Sequence, residues 1–261
     1  MDQTKIDELG DALYDAMVSR STIAPLTEQA PGITIEDAYG ASRRMLARRL
    51  EAGEQMVGKK IGVTSKAVMD MLNVDRPDFG FLTDKMAFST GAEIPASETL
   101  IQPRAEGEIA FILKSDLKGP GVTNADVVRA TDFVMPCFEI VDSRITDWKI
   151  KIEDTVGDNA SCGVFVMGDK CVRPTELDLT TCGIVVSLNG DIISTGAGAA
   201  AMGSPINCVT WLANTLGELG IGLEAGEVIL SGSLVPLQPV GPGDAIHMEI
   251  GGLGQCSARF S

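Results

Sequence analysis

The sequence predicts an α+β fold in which helices flank a mixed β-roll or barrel, and three observations lead there. The first fifty residues carry helical periodicity, and from about Val57 the chain breaks into short strands punctuated by Gly, Pro, Asn and Asp. Strands and helices do not alternate strictly, which disfavours a doubly wound parallel sheet and leaves a rolled sheet as the simpler way to bury one face. The chain divides into an N-terminal helical region, residues 1–56, and a β-rich region, residues 57–261. At 261 residues the two can also pack as one domain.

The elements follow in order. Ile6, Leu9, Leu13 and Met17 recur at helical spacing, and Thr34-Ile35-Glu36-Asp37 reads as an N-cap with an acidic first turn. The helix after it carries Arg43, Arg44, Arg48 and Arg49, expected to form a solvated face, with a subunit contact as the alternative. Strands are expected over 106–113, 138–141, 163–167, 183–188, 191–194, 227–230, 245–250 and 255–260. Asn189-Gly190 between two of them signals a type I′ hairpin. Two helices interrupt the strands: one capped by Thr123, the other starting at Ser204 and Pro205 and running through Val209, Leu212 and Leu216 to Gly220.

Composition narrows the function. A net charge of −15 and a pI near 4.4 argue against nucleic acid or an anionic membrane as partner. No apolar run reaches the roughly 18 residues of a membrane span, and Met1-Asp2-Gln3-Thr4 opens no secretion signal, so a cytoplasmic location is expected. Cys137, Cys162, Cys171, Cys182, Cys208 and Cys256 form no C-x-x-C pair and read as reduced, mostly buried residues. The single histidine, His247, lies in an alternating strand and is taken as structural. One histidine excludes a multi-histidine metal site.

The chemistry concentrates in acidic residues. Glu106 and Glu108 are two apart in a strand, so they share a face, and Glu139 lies in a second strand. Two carboxylates so placed repel unless a proton or cation lies between them, and oxygen ligands suit Mg²⁺ or Mn²⁺. The bland alternative is the solvated face of a half-buried strand. Lys60, between glycines in Gly58-Lys59-Lys60-Ile61-Gly62, would have its pKa lowered by desolvation if it points inward; otherwise it is a surface lysine beside a turn. Pro77-Asp78-Phe79-Gly80 reads as a turn, with Asp78 either an acid–base group or a turn-former. Asp142-Ser143-Arg144 follows Glu139, and Asp158-Asn159-Ala160-Ser161 is a polar cluster ahead of a strand. Gly196-Ala197-Gly198-Ala199 and Gly232-Ser233 could offer backbone N–H groups to a carboxylate.

In this order the segments around Lys60, Asp78, Glu106, Glu139, Asp158 and Gly196, with Gln102-Pro103-Arg104-Ala105 leading into Glu106, resemble the 2-hydroxypenta-2,4-dienoate hydratases of aromatic meta-cleavage pathways. These belong to the fumarylacetoacetate hydrolase superfamily, and the resemblance covers essentially the whole chain. It implies a fold like the fumarylacetoacetase C-terminal domain, with Glu106, Glu108 and Glu139 as ligands of Mg²⁺ or Mn²⁺. It further implies Lys60 and Asp78 as the acid–base pair and Ser161 beside the substrate, a small 2-hydroxy-dienoate or 2-oxo acid. The implied reaction is tautomerisation followed by addition of water, giving 4-hydroxy-2-oxopentanoate. The resemblance to 4-oxalocrotonate decarboxylase, and a hydratase for the longer 2-hydroxyhexa-2,4-dienoate, are the alternatives. A homo-oligomer, and a complex with a 4-oxalocrotonate decarboxylase, are also implied. One departure is Gly157, where the family pattern usually has Ala and where a loosened turn is expected.

Overall fold

In the computed structural model, which describes the backbone of residues 1–261 and the side chains of all but Ala67, Met71 and Leu72, the N-terminal periodicity becomes two packed helices. Helix α1 (Gln3–Ser19) buries Ile6, Leu9, Leu13 and Ala16, and the Asp2 carboxylate caps it by accepting from the Lys5 N–H. A short α2 (Leu26–Gln29) leads to α3 (Ile35–Glu51), which opens with a capping box between Thr34 and Asp37. The arginine-rich face of α3 is solvated only at Arg43. Arg44 and Arg48 each donate to Asp11 of α1 at 2.8 Å, and buried Arg49 donates to Glu54 and to the Thr83 hydroxyl. The expected solvated face is therefore mostly a half-buried helix–helix seam, because α1 presents acids where α3 presents bases.

The rest of the chain builds two mixed sheets. The strands are β1 (Met56–Gly62), β2 (Asp78–Thr83), β3 (Ala87–Ser89), β4 (Ala92–Ile94), β5 (Pro103–Leu113), β6 (Thr131–Asp142), β7 (Cys162–Met167), β8 (Gly183–Leu188), β9 (Asp191–Ala197), β10 (Val228–Leu230), β11 (Gln238–Pro239), β12 (Ala245–Ile250) and β13 (Gly254–Phe260). The larger sheet has the order β2-β1-β10-β5-β6-β7-β3, with β11 also paired to β5; the smaller runs β4-β13-β12-β8-β9. Parallel pairs β1/β10, β3/β7 and β4/β13 sit among antiparallel ones, as a curled mixed sheet requires. One apolar core lies between the sheets and against α6 (Asn124–Ala130) and α8 (Pro205–Glu218), and includes Phe111, Phe138, Ile184, Met248 and Leu212.

Three local expectations change. The Pro77–Gly80 segment is not a turn: Asp78 starts β2, whose six residues are all buried and pair with β1, Gly62 opposite Asp78. Burial on both faces overrides the turn composition of that stretch. Strand β6 begins at Thr131, well ahead of residue 138, and contains Pro136, tolerated where the β7 pairing has already ended at Cys137. Three short helices, α4 (Lys66–Leu72), α5 (Ala96–Thr99) and α7 (Ile152–Gly157), join the two expected among the strands. At the end of α7, a Cβ on Gly157 would meet Leu26 Cδ1 at 2.4 Å, so glycine there admits a close packing contact where a loosened turn was expected.

Adjacent lysines of β1 point to opposite faces and both are buried. Lys59 forms an ion pair with Glu227, whose other oxygen accepts the Glu224 N–H at 2.9 Å. Removing one partner of such a pair strands the other charge in an apolar setting. Glu227→Gln should lower stability by about 3 kcal/mol in urea unfolding. The double variant Lys59→Met/Glu227→Gln should recover at least half of that; equal losses in both would show the pair to be energetically idle.

Candidate metal centre

Strands β5 and β6 are antiparallel with Glu106 directly opposite Glu139, and Glu108 opposite Cys137. Residues two apart on β5 share a face, so the three glutamates converge, offering ligand oxygens within 4.8 Å of one another. Like charges directly across an antiparallel pair repel, and here Glu108 and Glu139 are fully buried. Few donors answer them. The Gly232 N–H donates to Glu108 Oε2 at 2.8 Å, while Glu108 Oε1 and both oxygens of Glu139 have no hydrogen-bond partner among the described residues. Lys60 Nζ lies 3.0 Å from Glu139 Oε1, an ion-pair contact whose angles are not those of a hydrogen bond. Buried carboxylate oxygens without donors are the donor set a hard divalent cation takes, so the residues present fit Mg²⁺ or Mn²⁺.

Lys60 and Asp78 meet at Gly62. A Cβ there would lie 2.3 Å from Asp78 Oδ1 and 3.1 Å from Lys60 Nζ, so only glycine lets the two groups stand together above β1. Asp78 Oδ1 is buried and has no hydrogen-bond partner among the described residues. Burial, reinforced by Glu139, pushes Glu106 up to about 8. Burial, Glu139 and Glu106 hold Glu108 well above the ordinary carboxylate range. Burial likewise lifts Asp78 to about 6, against the pull of Lys60. Lys60 does point inward, but its pKa is not lowered as desolvation alone predicts. Burial pulls the ammonium down, and the carboxylates of Glu139 and Asp78 outweigh it, leaving Lys60 above the usual lysine range.

Ser161 sits in a strained segment. Asn159, Ala160 and Ser161 all have left-handed backbones, with φ of 55°, 50° and 53°, a conformation that costs about 1–2 kcal/mol at Ala and Ser and less at Asn. Two devices hold it. The Asn159 side chain clamps Phe81 through both its N–H and its carbonyl, at 2.8 and 2.9 Å. The buried Arg144 guanidinium donates to the Asp158 carboxylate and to the carbonyls of Asp142, Asp158 and Cys162. Ser161 Oγ is then 3.1 Å from Thr155 Oγ1.

A cavity of about 620 Å³ is lined by Lys60, Asp78, Glu106 and Ser161, with an apolar side formed by Val63, Val141, Val235 and Leu237. A larger one, about 780 Å³, touches Asp78 from the helical side but none of the three glutamates. The structure thus brings together all six residues singled out in the sequence. The Gly196–Ala199 stretch does not act as expected: the N–H groups of Gly198 and Ala199 are taken by the carbonyls of Cys182 and Thr180. His247 is exposed on the outer face of the smaller sheet, beside Gln255. Arg104 and Trp148 also line the site cavity and were not singled out. Arg104 was within reach of the i, i+2 rule that links Glu106 and Glu108; Trp148 carried no signal.

This fold and this acidic centre mark a class. The fumarylacetoacetate (FAA) hydrolase C-terminal family model matches residues 52–261, and the chain belongs to that family. Within it, a 2-hydroxypent-2,4-dienoate hydratase of Pseudomonas putida is 67% identical over 221 residues, 85% of this chain and 100% of the relative. A 2-hydroxyhexa-2,4-dienoate hydratase of Comamonas testosteroni is 57% identical over 100% of this chain and 99% of its own. Among solved structures, 4-oxalocrotonate decarboxylase from Pseudomonas putida G7, complexed with magnesium and adipate, superposes with a TM-score of 0.97 at 36% identity, covering 100% of this chain and 99% of that one.

The raised carboxyl pKa values set a sign for the pH dependence of stability. Folded Asp78 and Glu106 keep protons up to about pH 6 and 8, whereas the unfolded chain has released them near pH 4. The folded state binds more protons, so the stability of chelator-stripped protein should fall as pH rises from about 5 to 8. Added Mg²⁺ should raise Tm more at pH 8 than at pH 5, because the cation replaces the protons. A stripped protein whose Tm climbs across that window would refute this account of the cluster.

Proposed function

We propose that the chain is a metal-dependent hydro-lyase converting 2-hydroxypenta-2,4-dienoate to 4-hydroxy-2-oxopentanoate. The observation that carries the reading is the convergence of Glu106, Glu108 and Glu139 at the edge of a cavity that Glu106 lines together with Lys60 and Asp78. The name of the 67%-identical relative supports the substrate. The 57%-identical relative favours a second substrate longer by one carbon, the hexadienoate. An added methylene in an apolar pocket changes discrimination by only about 1–3 kcal/mol.

Glu106, Glu108 and Glu139 would hold Mg²⁺ or Mn²⁺. A divalent ion there supplies positive charge to the adjacent oxygens of a 2-oxo acid and so favours its enolate form. The remaining work falls to side chains of this chain. Asp78, with a pKa near 6, changes protonation state near neutrality and suits transfer of the 2-hydroxyl proton toward carbon 5. Lys60 stays an ammonium and stabilises the carboxylates of Glu139 and Asp78 around it. Ser161, fixed by Thr155, faces the cavity as a hydrogen-bonding group for substrate or for the water that adds at carbon 4. Reprotonation at carbon 3 completes the addition.

The same reading takes residues 1–56 as a helical region packed on the catalytic part, 57–261. It places the enzyme in the cytoplasm as a homo-oligomer able to associate with a 4-oxalocrotonate decarboxylase. Among the described residues no helix is long and apolar enough to cross a membrane.

Freshly generated 2-hydroxypenta-2,4-dienoate, mixed with stripped protein before and after Mg²⁺ or Mn²⁺, tests the function. Ion-dependent loss of the dienol absorbance with 4-hydroxy-2-oxopentanoate as product is expected. Release of CO₂ from 2-oxohex-3-enedioate without dienol hydration would instead assign a decarboxylase. Asp78→Asn should lower kcat by about 10²–10⁴-fold with Mn²⁺ affinity kept, and Glu106→Gln should lower both. Full activity in Glu106→Gln would remove that residue from the ligand set.

A further inference from the structure

The wall that carries the acids carries one cation that the acids do not use. Arg104 precedes Glu106 by two residues on β5, so Arg104, Glu106 and Glu108 form one row on one face. Along that row the strand passes from half-buried at Arg104 and Glu106 to fully buried at Glu108. Lys60 and Arg104 are the two basic residues among the described residues lining the cavity. Lys60 is engaged by Glu139. Among the described residues no carboxylate lies within ion-pair distance of Arg104, and the nearby Asp147 pairs with Lys149 at 3.1 Å.

The guanidinium is held in place without being neutralised. Its Cζ lies 4.5 Å from the centroid of the Trp148 ring, a cation–π contact on one face. Trp148 is itself fixed: its indole N–H donates to the Gln102 carbonyl at 3.1 Å, and the Gln102 side chain donates to the carbonyls of Ser143 and Ile145. Trp148 holds a left-handed backbone, φ 55°, which a bulky residue adopts only when its surroundings impose it. Stacking occupies a face of the guanidinium and leaves its N–H edge free, and that edge matches a carboxylate with two parallel hydrogen bonds.

We propose that Arg104, presented by Trp148, receives the carboxylate of the substrate and thereby selects short-chain 2-oxo and 2-hydroxy acids over their neutral counterparts. This rests on the acid substrate class proposed above. An anion approaching four carboxylates needs positive charge in the same cavity, and Arg104 adds it on the row of β5 that leads to Glu106 and Glu108. The apolar side of the cavity, with Val63, Val235 and Leu237, takes the hydrocarbon part.

The test is a binding measurement that needs no turnover. Calorimetric titration of Mn²⁺-loaded protein with 2-oxopentanoate, and with the uncharged 2-oxopentanamide, is run on wild type, Arg104→Leu, Arg104→Lys and Trp148→Leu. Arg104→Leu should weaken the acid by about 10–100-fold and the amide by less than about twofold, with Mn²⁺ affinity and Tm unchanged. Arg104→Lys should recover part of the loss, and Trp148→Leu should give a smaller loss confined to the acid. Equal weakening of acid and amide, no weakening of either, or a wild type that binds the two alike would overturn the assignment. Failure of hydratase turnover with this discrimination intact would count against the proposed reaction and leave Arg104 in its role.

Discussion

Repulsion among Glu106, Glu108 and Glu139 is the constraint around which the rest of the molecule is arranged. Two of these carboxylates are out of water altogether, and the strand register sets Glu139 face to face with Glu106. Among the described residues, one ammonium and one backbone N–H answer them. Burial first, and the neighbouring carboxylates second, push Glu106 and Glu108 above the ordinary carboxylate range, so without a cation the cluster takes up protons. A sheet carries such a charge only if something else gains from it, and a bound cation is the simplest gain.

The surroundings hold that arrangement rigidly. Gly62 lets Asp78 and Lys60 approach each other, and Gly232, with a left-handed φ of 95°, turns its N–H onto Glu108. The left-handed run from Asn159 to Ser161 would relax if it were not clamped to β2 by Asn159 and to β6 by the Arg144–Asp158 pair. Lys59 and Glu227 repeat the pattern on the opposite face of β1, where a buried charge is closed off by its own partner. The contrast is instructive. One buried ion pair is complete and belongs to the scaffold; the other set is short of positive charge and belongs to the site.

Much of this was legible in the sequence wherever a local rule applied. The alternation of a strand puts Glu106 and Glu108 together, Asn189-Gly190 closes the β8–β9 hairpin, and Thr34 and Asp37 cap α3. What escaped depended on pairing across the chain. No spacing rule places Glu139 opposite Glu106, or Asp11 against Arg44 and Arg48. Pro-Asp-Phe-Gly has turn composition, yet tertiary burial makes Asp78 the first residue of β2, the fully buried end strand of the larger sheet. For Lys60, desolvation does pull the ammonium down, but the carboxylates that outweigh it come from β2 and β6, outside the reach of any local rule.

The measurement that reaches the central claim most directly is an anomalous difference map from crystals grown with Mn²⁺. A single strong peak per chain is expected among the carboxylates of Glu106, Glu108 and Glu139, within about 2.0–2.3 Å of an oxygen from each. Absence of a peak there at millimolar Mn²⁺, with the carboxylates protonated and hydrogen-bonded to one another instead, would contradict the account.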